Sequence, residues 1–470
     1  MAAHRTKFER AIAYLERRVN YENFQSLPYQ ELLGRLGRLR TLLVERESPE
    51  KRFLTVHVAG TKGKGSTCTL LKSILCQAGH RVGFFSSPHL YSPLERFAVD
   101  GEACSAEEFG ELMLSLRDRI KTREKNQGFT YFELTTLFAF EYFARKKVDI
   151  AILEVGLGGR LDATNVCSPT VTIITNISFD HVEQLGPTLE AIAGEKAGII
   201  KPGIPVVAGP ESAEAQCVIQ REAEVVGAPC FFFGEDFSFV SERNKAKFRF
   251  IPRAAPETPF REVGALTLKL PGEHQRNNAA LAVAAAQLLR DRLKVPVSAV
   301  RSGLAKAFLP IRVEQIQPSP GGPSLVVDGA HNQASVSALV RTLEDLRPFR
   351  KKYLVFGTSL GKDLEGMFTE LLPFFDRIIL TQHSSNPRRF PPQNMLTILY
   401  SLANAHPVSE IAVEENPFLA FATCWNSAQR NDLVCVCGSM YLAGELREFF
   451  IESNAVRAPV DGESAGTPHC

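Results

Sequence analysis

A glycine-rich segment that contains two lysines is the strongest chemical signal in the sequence. The segment VAGTKGKGST spans residues 58–67, between an apolar run and a stretch of helical pattern. Glycines in such a turn let backbone N–H groups face an anion, and the N-terminus of a helix adds partial positive charge. Lys64 supplies an ammonium for phosphate oxygens, which predicts a phosphate-binding loop. The alternative is a glycine-rich turn with an exposed lysine, because Val58 and Gly65 depart from the strict G-x-x-x-x-G-K-[ST] pattern.

Polar side chains also follow two other apolar runs. Glu154 ends one run, and Asp180 and His181 follow the next. The carboxyl ends of parallel strands form the usual ligand edge of an open α/β sheet, and a carboxylate there suits Mg²⁺. Histidine is an atypical Mg²⁺ ligand, so its chemistry alone favours a base or a hydrogen-bond donor at His181. The alternative for both positions is a residue with structural partners at a strand end.

Short runs rich in Val and Ile alternate with helix-length segments, which predicts a doubly wound α/β domain. Nearly continuous apolar runs are typical of strands that are buried on both faces of a parallel sheet. The predicted strands are 53–59, 82–87, 149–155, 170–178 and 204–209, and the predicted helices between them include 106–120, 131–146 and 188–199.

Residues 229–270 break this alternation and predict a small antiparallel sheet, followed by a helix over 277–293 and another with Ser298 as its N-cap. A second α/β series follows the turn-rich segment 316–324, with strands at 324–329, 352–357, 377–381 and 432–438. We therefore predict one domain over residues 1–310, a smaller one over 311–455 and a disordered tail over 456–470.

The composition argues against several classes of protein. The 470 residues include 54 Lys and Arg against 52 Asp and Glu, a net charge of +2 that gives no support for a nucleic-acid or membrane-surface partner. The N-terminus reads as an amphipathic helix with Phe8, Ile12 and Leu15 on one face, without the apolar core of a signal peptide. Ten scattered cysteines without a CxxC pair indicate reduced thiols, so we expect a cytoplasmic protein.

Sequence blocks along residues 50–445 resemble the folylpolyglutamate synthases and dihydrofolate synthases of the Mur ligase superfamily. The resemblance implies an α/β fold, with a P-loop NTPase-like Mur ligase central domain and a smaller Rossmann-like C-terminal domain. The blocks that carry it are GTKGKGS at 60–66, SSPHL at 86–90, TYFE at 130–133, EVGLGGRLDATN at 154–165, ITNISFDH at 174–181, EKAGIIK at 195–201, LPGEHQRNNA at 270–279, DGAHN at 328–332 and CGS at 437–439.

The resemblance assigns site residues as well as a fold. It implies a Mg²⁺ ion held by Ser87, Glu154 and His181. It also implies that CO₂ adds to Lys196, and the resulting carbamate helps to hold a second Mg²⁺. As a bare lysine on a helix, Lys196 would otherwise be a solvated cation. The resemblance assigns ATP to Gly60, Thr61, Lys62, Gly63, Lys64, Gly65, Ser66, Asn277, Arg312 and Asp328.

The remaining implied residues concern the other substrates. Thr130, Phe132 and Asp162 match positions that line a pterin pocket in bifunctional members of the family. Asp328, His331 and Ser439 match the nucleotide and amino-acid side of the site. Together with Lys64 and Lys196, Asp328 and His331 are the expected catalytic residues. For His331 the alternative is an ordinary turn histidine, and the aromatic residues near Phe132 could be simple helix core.

The function implied is ATP-dependent addition of L-glutamate to dihydropteroate, to folate polyglutamates or to both, through an acyl phosphate. The expected partners are these small molecules alone, and we expect a monomer. A Mur-type ligase of cell-wall peptides is one alternative, although it should lack the GGRLDATN and YFE blocks. A nucleotide switch without ligase activity is another, but its N-K-x-D motif is matched only by NKAK at 244–247, which lacks the aspartate.

Overall fold

The computed structural model describes residues 6–20, 34–121, 128–242, 247–253, 258–316, 322–384, 386–403 and 410–455. The described residues form two compact units. The first comprises those of Met1–Lys269 and Gln275–Ala307, and the second those of Leu270–His274 and Phe308–His469. The predicted tail, 456–470, and the NKAK string lie outside the described residues, apart from the lysine at 247.

The first unit is built on an eight-stranded sheet in the order β4-β3-β2-β5-β1-β6-β7-β8. The six strands from β2 to β8 in this order are parallel, whereas β3 and β4 add an antiparallel edge. The strands are β1 Leu54–Ala59, β2 Val82–Phe85, β3 Phe97–Val99, β4 Glu102–Ala103, β5 Ile150–Glu154, β6 Val171–Ile174, β7 Val206–Ala208 and β8 Cys230–Phe232.

The helices of this unit cover the sheet with apolar side chains. Helices α4 and α5 have the predicted bounds, and their starts are fixed by Ser105 and Thr130, which cap the first turns through side-chain oxygens. The helices are α1 Lys7–Glu16, α2 Arg35–Glu45, α3 Lys64–Gln77, α4 Ala106–Ile120, α5 Tyr131–Lys146, α6 Val182–Leu185, α7 Leu189–Ala197, α8 Ala213–Val225, α9 Glu273–Leu288, which belongs to this unit from Gln275 onward, and α10 Val297–Lys306.

The sheet topology explains where a ligand can bind. From β1 the chain passes through α3 to β2 on one side, while β6 lies on the other side of β1. The strand order therefore reverses at β1, and crevices at the carboxyl ends of strands beside such a reversal are the usual ligand sites of open α/β sheets. Four neighbouring strands bring the predicted residues to this edge. β2 ends two residues before Ser87, β5 ends at Glu154, β1 leads into the glycine-rich loop, and β6 leads into the segment that contains Asp180.

The predicted small sheet exists, with one difference. Strands β9 Phe237–Ser241, β10 Lys247–Pro252 and β11 Val263–Thr267 form an antiparallel sheet in the order β11-β10-β9, whereas β8 joins the large sheet. The predicted N-cap at Ser298 is wrong, because Pro296 occupies that position without a side-chain hydrogen bond. Proline fixes φ, and Pro296 holds the extended conformation of an N-cap residue, with φ −71° and ψ 153°, so the helix starts at Val297, before Ser298 could cap it.

The second unit contains a six-stranded sheet in the order β12-β13-β17-β14-β15-β16, parallel except for β12. Sequence reasoning missed the two edge strands, which are short and only half-buried. The elements are β12 Glu314–Ile316, β13 Ser324–Val327, α11 Gln333–Leu346, β14 Lys352–Phe356, α12 Leu364–Leu371, β15 Arg377–Leu380, α13 Pro392–Ala403, β16 Glu410–Val413, α14 Pro417–Ser427, β17 Leu433–Cys437 and α15 Met440–Ala455. Among the described residues no helix is long and apolar enough to cross a membrane.

Candidate active site

The glycine-rich segment forms the turn between β1 and α3 that its sequence predicts. Gly60 has a φ of 147° and Gly63 a φ of 84°, conformations that residues with a Cβ rarely adopt. A Cβ on Gly60 would lie 1.8 Å from Thr175 Oγ1, so the site also lacks room for a side chain. Helix α3 begins at Lys64, and its first backbone N–H groups have no acceptor within the helix. The turn can therefore bind an anion such as phosphate.

Two lysine ammonium groups meet at this loop. Lys64 Nζ donates to the carbonyl oxygen of Gly60 at 2.9 Å, and Lys196 Nζ donates to the same oxygen at 3.0 Å. Lys196 is only 4% exposed. Burial and then the neighbouring Lys64 lower the pKa of Lys196 to about 7, and burial also lowers the pKa of Lys64. Both lysines line one small cavity with Gly60, Thr61, residues 155–158, Asp180 and His181.

Lys62 forms an ion pair with Asp180. Its Nζ lies 2.8 Å from Asp180 Oδ2, and the loop between them is fixed by a hydrogen bond from the Thr61 amide to the Asn176 carbonyl. His181 follows with a φ of 50° and an exposed side chain whose Nε2 lies 3.9 Å from Asp180 Oδ1. The structure thus brings the β1 and β6 loops together, and the Lys62 charge is partly balanced by a carboxylate that sequence reasoning did not pair with it.

The carboxylate of Glu154 lies directly beside the start of α3. Its oxygens are 3.8 Å from the position that a Cβ on Gly65 would take, and the residue is only 5% exposed. Ser87 is half-buried two residues after β2, the strand that pairs with β5. Within the described ranges no cluster of three or more Asp, Glu, His or Cys residues could hold a metal. Mg²⁺ that also binds phosphates needs only one or two carboxylates, so this donor set fits such an ion.

The residue of α9 that meets the phosphate loop is Asn278. A Cβ on Gly63 would have Asn278 Oδ1 at 2.3 Å, and its three nearest heavy atoms all belong to Asn278. Asn278 is buried and its Nδ2 donates to Gln275 Oε1 at 3.1 Å. Asn277, which the resemblance assigns to ATP, is the half-buried neighbour on the helix. The HQRNNA block contains both asparagines, and only the rotation of α9 distinguishes them.

The three predicted pterin-pocket residues lie near one another, yet two of them have internal partners. Thr130 caps α5 in a reciprocal box with Glu133. The Asp162 carboxylate accepts hydrogen bonds from the amides of Gly156, Leu157 and Thr164 and from the Thr164 hydroxyl. Burial raises the pKa of Asp162, and these donors oppose the shift.

Phe132 is the third of these residues, and it packs against the loop that Asp162 holds. Its ring carbon Cζ lies 2.7 Å from the position of a Cβ on Gly156. The ring centroid is also 5.7 Å from that of Phe85, near the end of β2. An aromatic face is therefore present beside residues 156–157.

In the second unit the predicted residues lie after β13 and β17, which are neighbours in the sheet. Asp328 is buried and accepts from the amides of Val313 and Ala330 at 2.7 Å each. Burial raises its pKa, while the Arg312 guanidinium acts in the opposite direction. The remaining two make local contacts: His331 Nδ1 lies 2.8 Å from the Gly329 carbonyl, and Ser439 Oγ accepts from the Tyr441 amide.

Comparisons with known proteins show which family the chain is similar to. Two protein-family models match the sequence. The Mur ligase middle domain family matches residues 58–286, and the family described as Mur ligase, glutamate ligase domain matches residues 311–440. The dihydrofolate synthase/folylpolyglutamate synthase of Bacillus subtilis is 35% identical over 432 residues, which cover 88% of this chain and 94% of the relative.

Two solved structures share the fold over nearly the whole chain. The folylpolyglutamate synthase of Mycobacterium tuberculosis complexed with ADP has a TM-score of 0.81 at 27% identity, covering 94% of this chain and 98% of that one. The Escherichia coli protein FolC in complex with DHPP and ADP has a TM-score of 0.79 at 29% identity, covering 96% and 99%. With its phosphate loop and paired lysines, this chain belongs to the dihydrofolate synthase/folylpolyglutamate synthase family of the Mur ligase superfamily.

Proposed function

We propose that this chain is an ATP-dependent ligase that joins L-glutamate to the carboxylate of a pterin substrate, either dihydropteroate or a folate. The observation that carries the proposal is the pair of lysines on the Gly60 carbonyl, at the phosphate loop of a chain in this ligase family. The names of the relatives and the ADP complexes support the same substrates and nucleotide.

The reaction divides into two steps. The substrate carboxylate attacks the γ-phosphorus of ATP, which gives an acyl phosphate and ADP. The glutamate amine then attacks the acyl carbon, and phosphate leaves. Lys64 and the N–H groups at the start of α3 offset the negative charge that develops on the transferred phosphoryl group. The protein needs no nucleophile of its own, because the two substrates supply both nucleophiles.

Glu154, Ser87 and His181 are the residues that would hold Mg²⁺ in this proposal. The carboxylate of Glu154 supports the assignment, since it lies beside Gly65 in the first turn of α3, where phosphate oxygens would bind. When bound, the ion would neutralise charge on the phosphate oxygens. Thr61, Lys62, Gly63, Gly65 and Ser66 would surround the phosphates, with Asn277 or its neighbour Asn278, Arg312 and Asp328 as further nucleotide contacts.

Lys196 would act as a carbamate. CO₂ adds only to a neutral amine, and a buried lysine beside a second ammonium holds its proton weakly. The site provides both conditions, because Lys196 is buried and shares its carbonyl acceptor with Lys64. As a carbamate, the side chain would carry an oxygen ligand for a second Mg²⁺ in place of a repelling cation.

The proposal assigns the remaining predicted residues to the two organic substrates. Phe132 offers an aromatic face to the pterin ring, next to Thr130 and Asp162. His331, Asp328 and Ser439 serve the nucleotide and the incoming amino acid. We further propose that the enzyme accepts both dihydropteroate and tetrahydrofolate. The Bacillus subtilis relative, 35% identical over 432 residues, is named for both activities, and the GGRLDATN block at 158–165 resembles that of dual-function members of the family.

The decisive experiment measures incorporation of labelled L-glutamate with dihydropteroate and with tetrahydrofolate in separate assays. We expect ATP-dependent incorporation with each substrate and one ADP formed per glutamate added. Incorporation with tetrahydrofolate alone would refute the dual activity and leave the ligase assignment intact. ATP hydrolysis without incorporation in either assay would refute the ligase assignment.

Two properties of the molecule complete the proposal. We place the enzyme in the cytoplasm, because none of the nine cysteines in the described ranges is joined to another by a disulfide. We also propose that it works as a monomer. Size-exclusion chromatography with light scattering at micromolar protein tests the second statement.

A further inference from the structure

A chain of buried hydrogen bonds runs from β1 to the loop after β5. His57 lies on β1, three residues before Gly60, and Thr164 lies in the short 3-10 helix Ala163–Val166. His57 Nε2 is 2.8 Å from Thr164 Oγ1, and the Thr164 hydroxyl donates to Asp162 Oδ1. His57 and Thr164 are both fully buried, so water does not compete for these bonds.

The direction of the chain follows from counting protons. The Thr164 hydroxyl has one hydrogen, and it is given to the Asp162 carboxylate. Its oxygen must then accept from His57, which requires a proton on Nε2. Within the described ranges His57 Nδ1 has no hydrogen-bond partner, in agreement with a neutral ring that uses only Nε2. Each hydrogen bond is therefore donated in the same direction, from His57 to Thr164 and from Thr164 to Asp162.

Asp162 connects these buried hydrogen bonds to the loop that lines the cavity. Its second oxygen, Oδ2, accepts from the amides of Gly156 and Leu157, both at 3.0 Å. This loop, residues 156–159, is tightly enclosed on two sides. Gly156 meets the Phe132 ring, and a Cβ on Gly159 would lie 2.9 Å from the carbonyl oxygens of both Glu195 and Lys196.

We propose that His57 and Thr164 are positioning residues, which fix residues 156–159 between Phe132 and the helix end that carries Lys196. The inference rests on the proposed function, since it gives these residues a role in ligation. Other hydrogen bonds hold the phosphate loop in place. The Thr61 amide donates to the Asn176 carbonyl, and the Thr175 hydroxyl donates to the Lys62 carbonyl. Loss of the chain should therefore impair turnover and leave nucleotide binding intact.

The test compares Thr164→Val with Thr164→Ser. Valine keeps the shape of threonine without the hydroxyl, whereas serine keeps the hydroxyl. Thr136→Val is the matched control, because Thr136 is also fully buried and its hydroxyl has no partner within the described ranges. The readouts are kcat for glutamate incorporation per folded molecule and the Kd of ADP from calorimetry.

We expect Thr164→Val to lower kcat at least tenfold with an ADP Kd within twofold of wild type. Thr164→Ser should stay within threefold of wild-type kcat, and Thr136→Val within twofold. Equal kcat for Thr164→Val and Thr136→Val would overturn the proposal, as would a loss of ADP affinity that matches the loss of kcat. A wild-type enzyme that incorporates no glutamate would instead refute the proposed function.

A second pair of variants covers the case in which Thr164→Val does not fold. His57→Gln retains an N–H donor near the Nε2 position, and His57→Met does not. We expect kcat to fall at least tenfold in His57→Met and to recover most of that loss in His57→Gln. Equal kcat in the two variants would overturn the proposal. Where both methionine and valine variants fold, the double variant should be no slower than the worse single variant, because each breaks the same chain.

Discussion

Lys64 and Lys196 donate to one carbonyl oxygen, that of Gly60, from two different helices. Two ammonium groups that share an acceptor repel each other, and the burial of Lys196 strengthens that repulsion because water screens it poorly. The arrangement becomes favourable when an anion enters the cavity or when one of the amines loses its charge. The same contact therefore prepares the site for phosphate and weakens the hold of Lys196 on its proton.

Lys64→Ala should abolish ligation while the fold persists. Lys64 Nζ donates to carbonyl oxygens of its own loop, Gly60 at 2.9 Å and Thr61 at 3.4 Å, and not to a strand, so we expect its loss to leave the sheet intact. We expect kcat/KM to fall well over tenfold, a loss of more than about 1.4 kcal/mol of transition-state stabilisation. Lys72→Met on the same helix is the control, since its ammonium lies over Phe84. More than a tenth of wild-type turnover in Lys64→Ala would contradict the assignment.

Carbon dioxide should raise the activity of the wild-type enzyme. With a pKa of about 7, about half of the Lys196 amines are neutral at pH 7 and can add CO₂. The neutral fraction falls about fivefold from pH 7 to pH 6 and about tenfold with each pH unit below that, so activity should depend on bicarbonate most strongly below pH 7.

The matched variant is Lys196→Ala, which we expect to be nearly inactive and to be partly rescued by short carboxylic acids that fill the gap. Turnover measured in carbonate-free and in carbonate-saturated buffer provides the check. Equal rates in the two buffers, with no rescue of the variant, would leave Lys196 as an ordinary lysine.

Asn278→Ala should weaken nucleotide binding more than Asn277→Ala does. Asn278 is the residue whose Oδ1 lies against Gly63, at the turn that would hold the phosphates. We expect the Kd of ADP to rise about tenfold for Asn278→Ala, or about 1.4 kcal/mol. Titration calorimetry of both variants at one salt concentration decides between them. A larger loss of ADP affinity in Asn277→Ala would instead support Asn277, the residue that the sequence resemblance assigns to ATP.

Particular residues show what sequence patterns can and cannot predict. The starts of α4 and α5 follow from capping residues that directly precede the helices in sequence. The phosphate loop is likewise local, since its glycines, its lysine and the start of α3 are contiguous. Asn278 and the Lys62–Asp180 pair depend instead on how distant segments pack, which no local pattern encodes.

Asp162 shows that a sequence pattern can identify a site residue without identifying what its side chain contacts. The resemblance assigns its carboxylate to the pterin, but in the structure four protein donors already surround it. A sequence block identifies a residue that the site requires without distinguishing contact with substrate from support of a loop. We therefore expect Asp162→Ala to slow ligation of both dihydropteroate and tetrahydrofolate, and separate assays with the two substrates test this.

Acid should destabilise the wild-type protein more than it destabilises His57→Gln. Burial lowers the pKa of His57 to about 3, against about 6.5 in an unfolded chain. Between these values the unfolded state binds the extra proton, so the free energy of unfolding falls as the pH falls from 6.5 toward 3. From pH 7 to pH 5 the wild type should lose about 2 kcal/mol more than His57→Gln. Urea unfolding at both values measures this, with His80→Gln as the control for a histidine nearer the surface. Parallel losses in wild type and His57→Gln would show that His57 can accept a proton inside the folded protein, and the neutral donor at the head of the His57–Thr164–Asp162 chain would then be wrong.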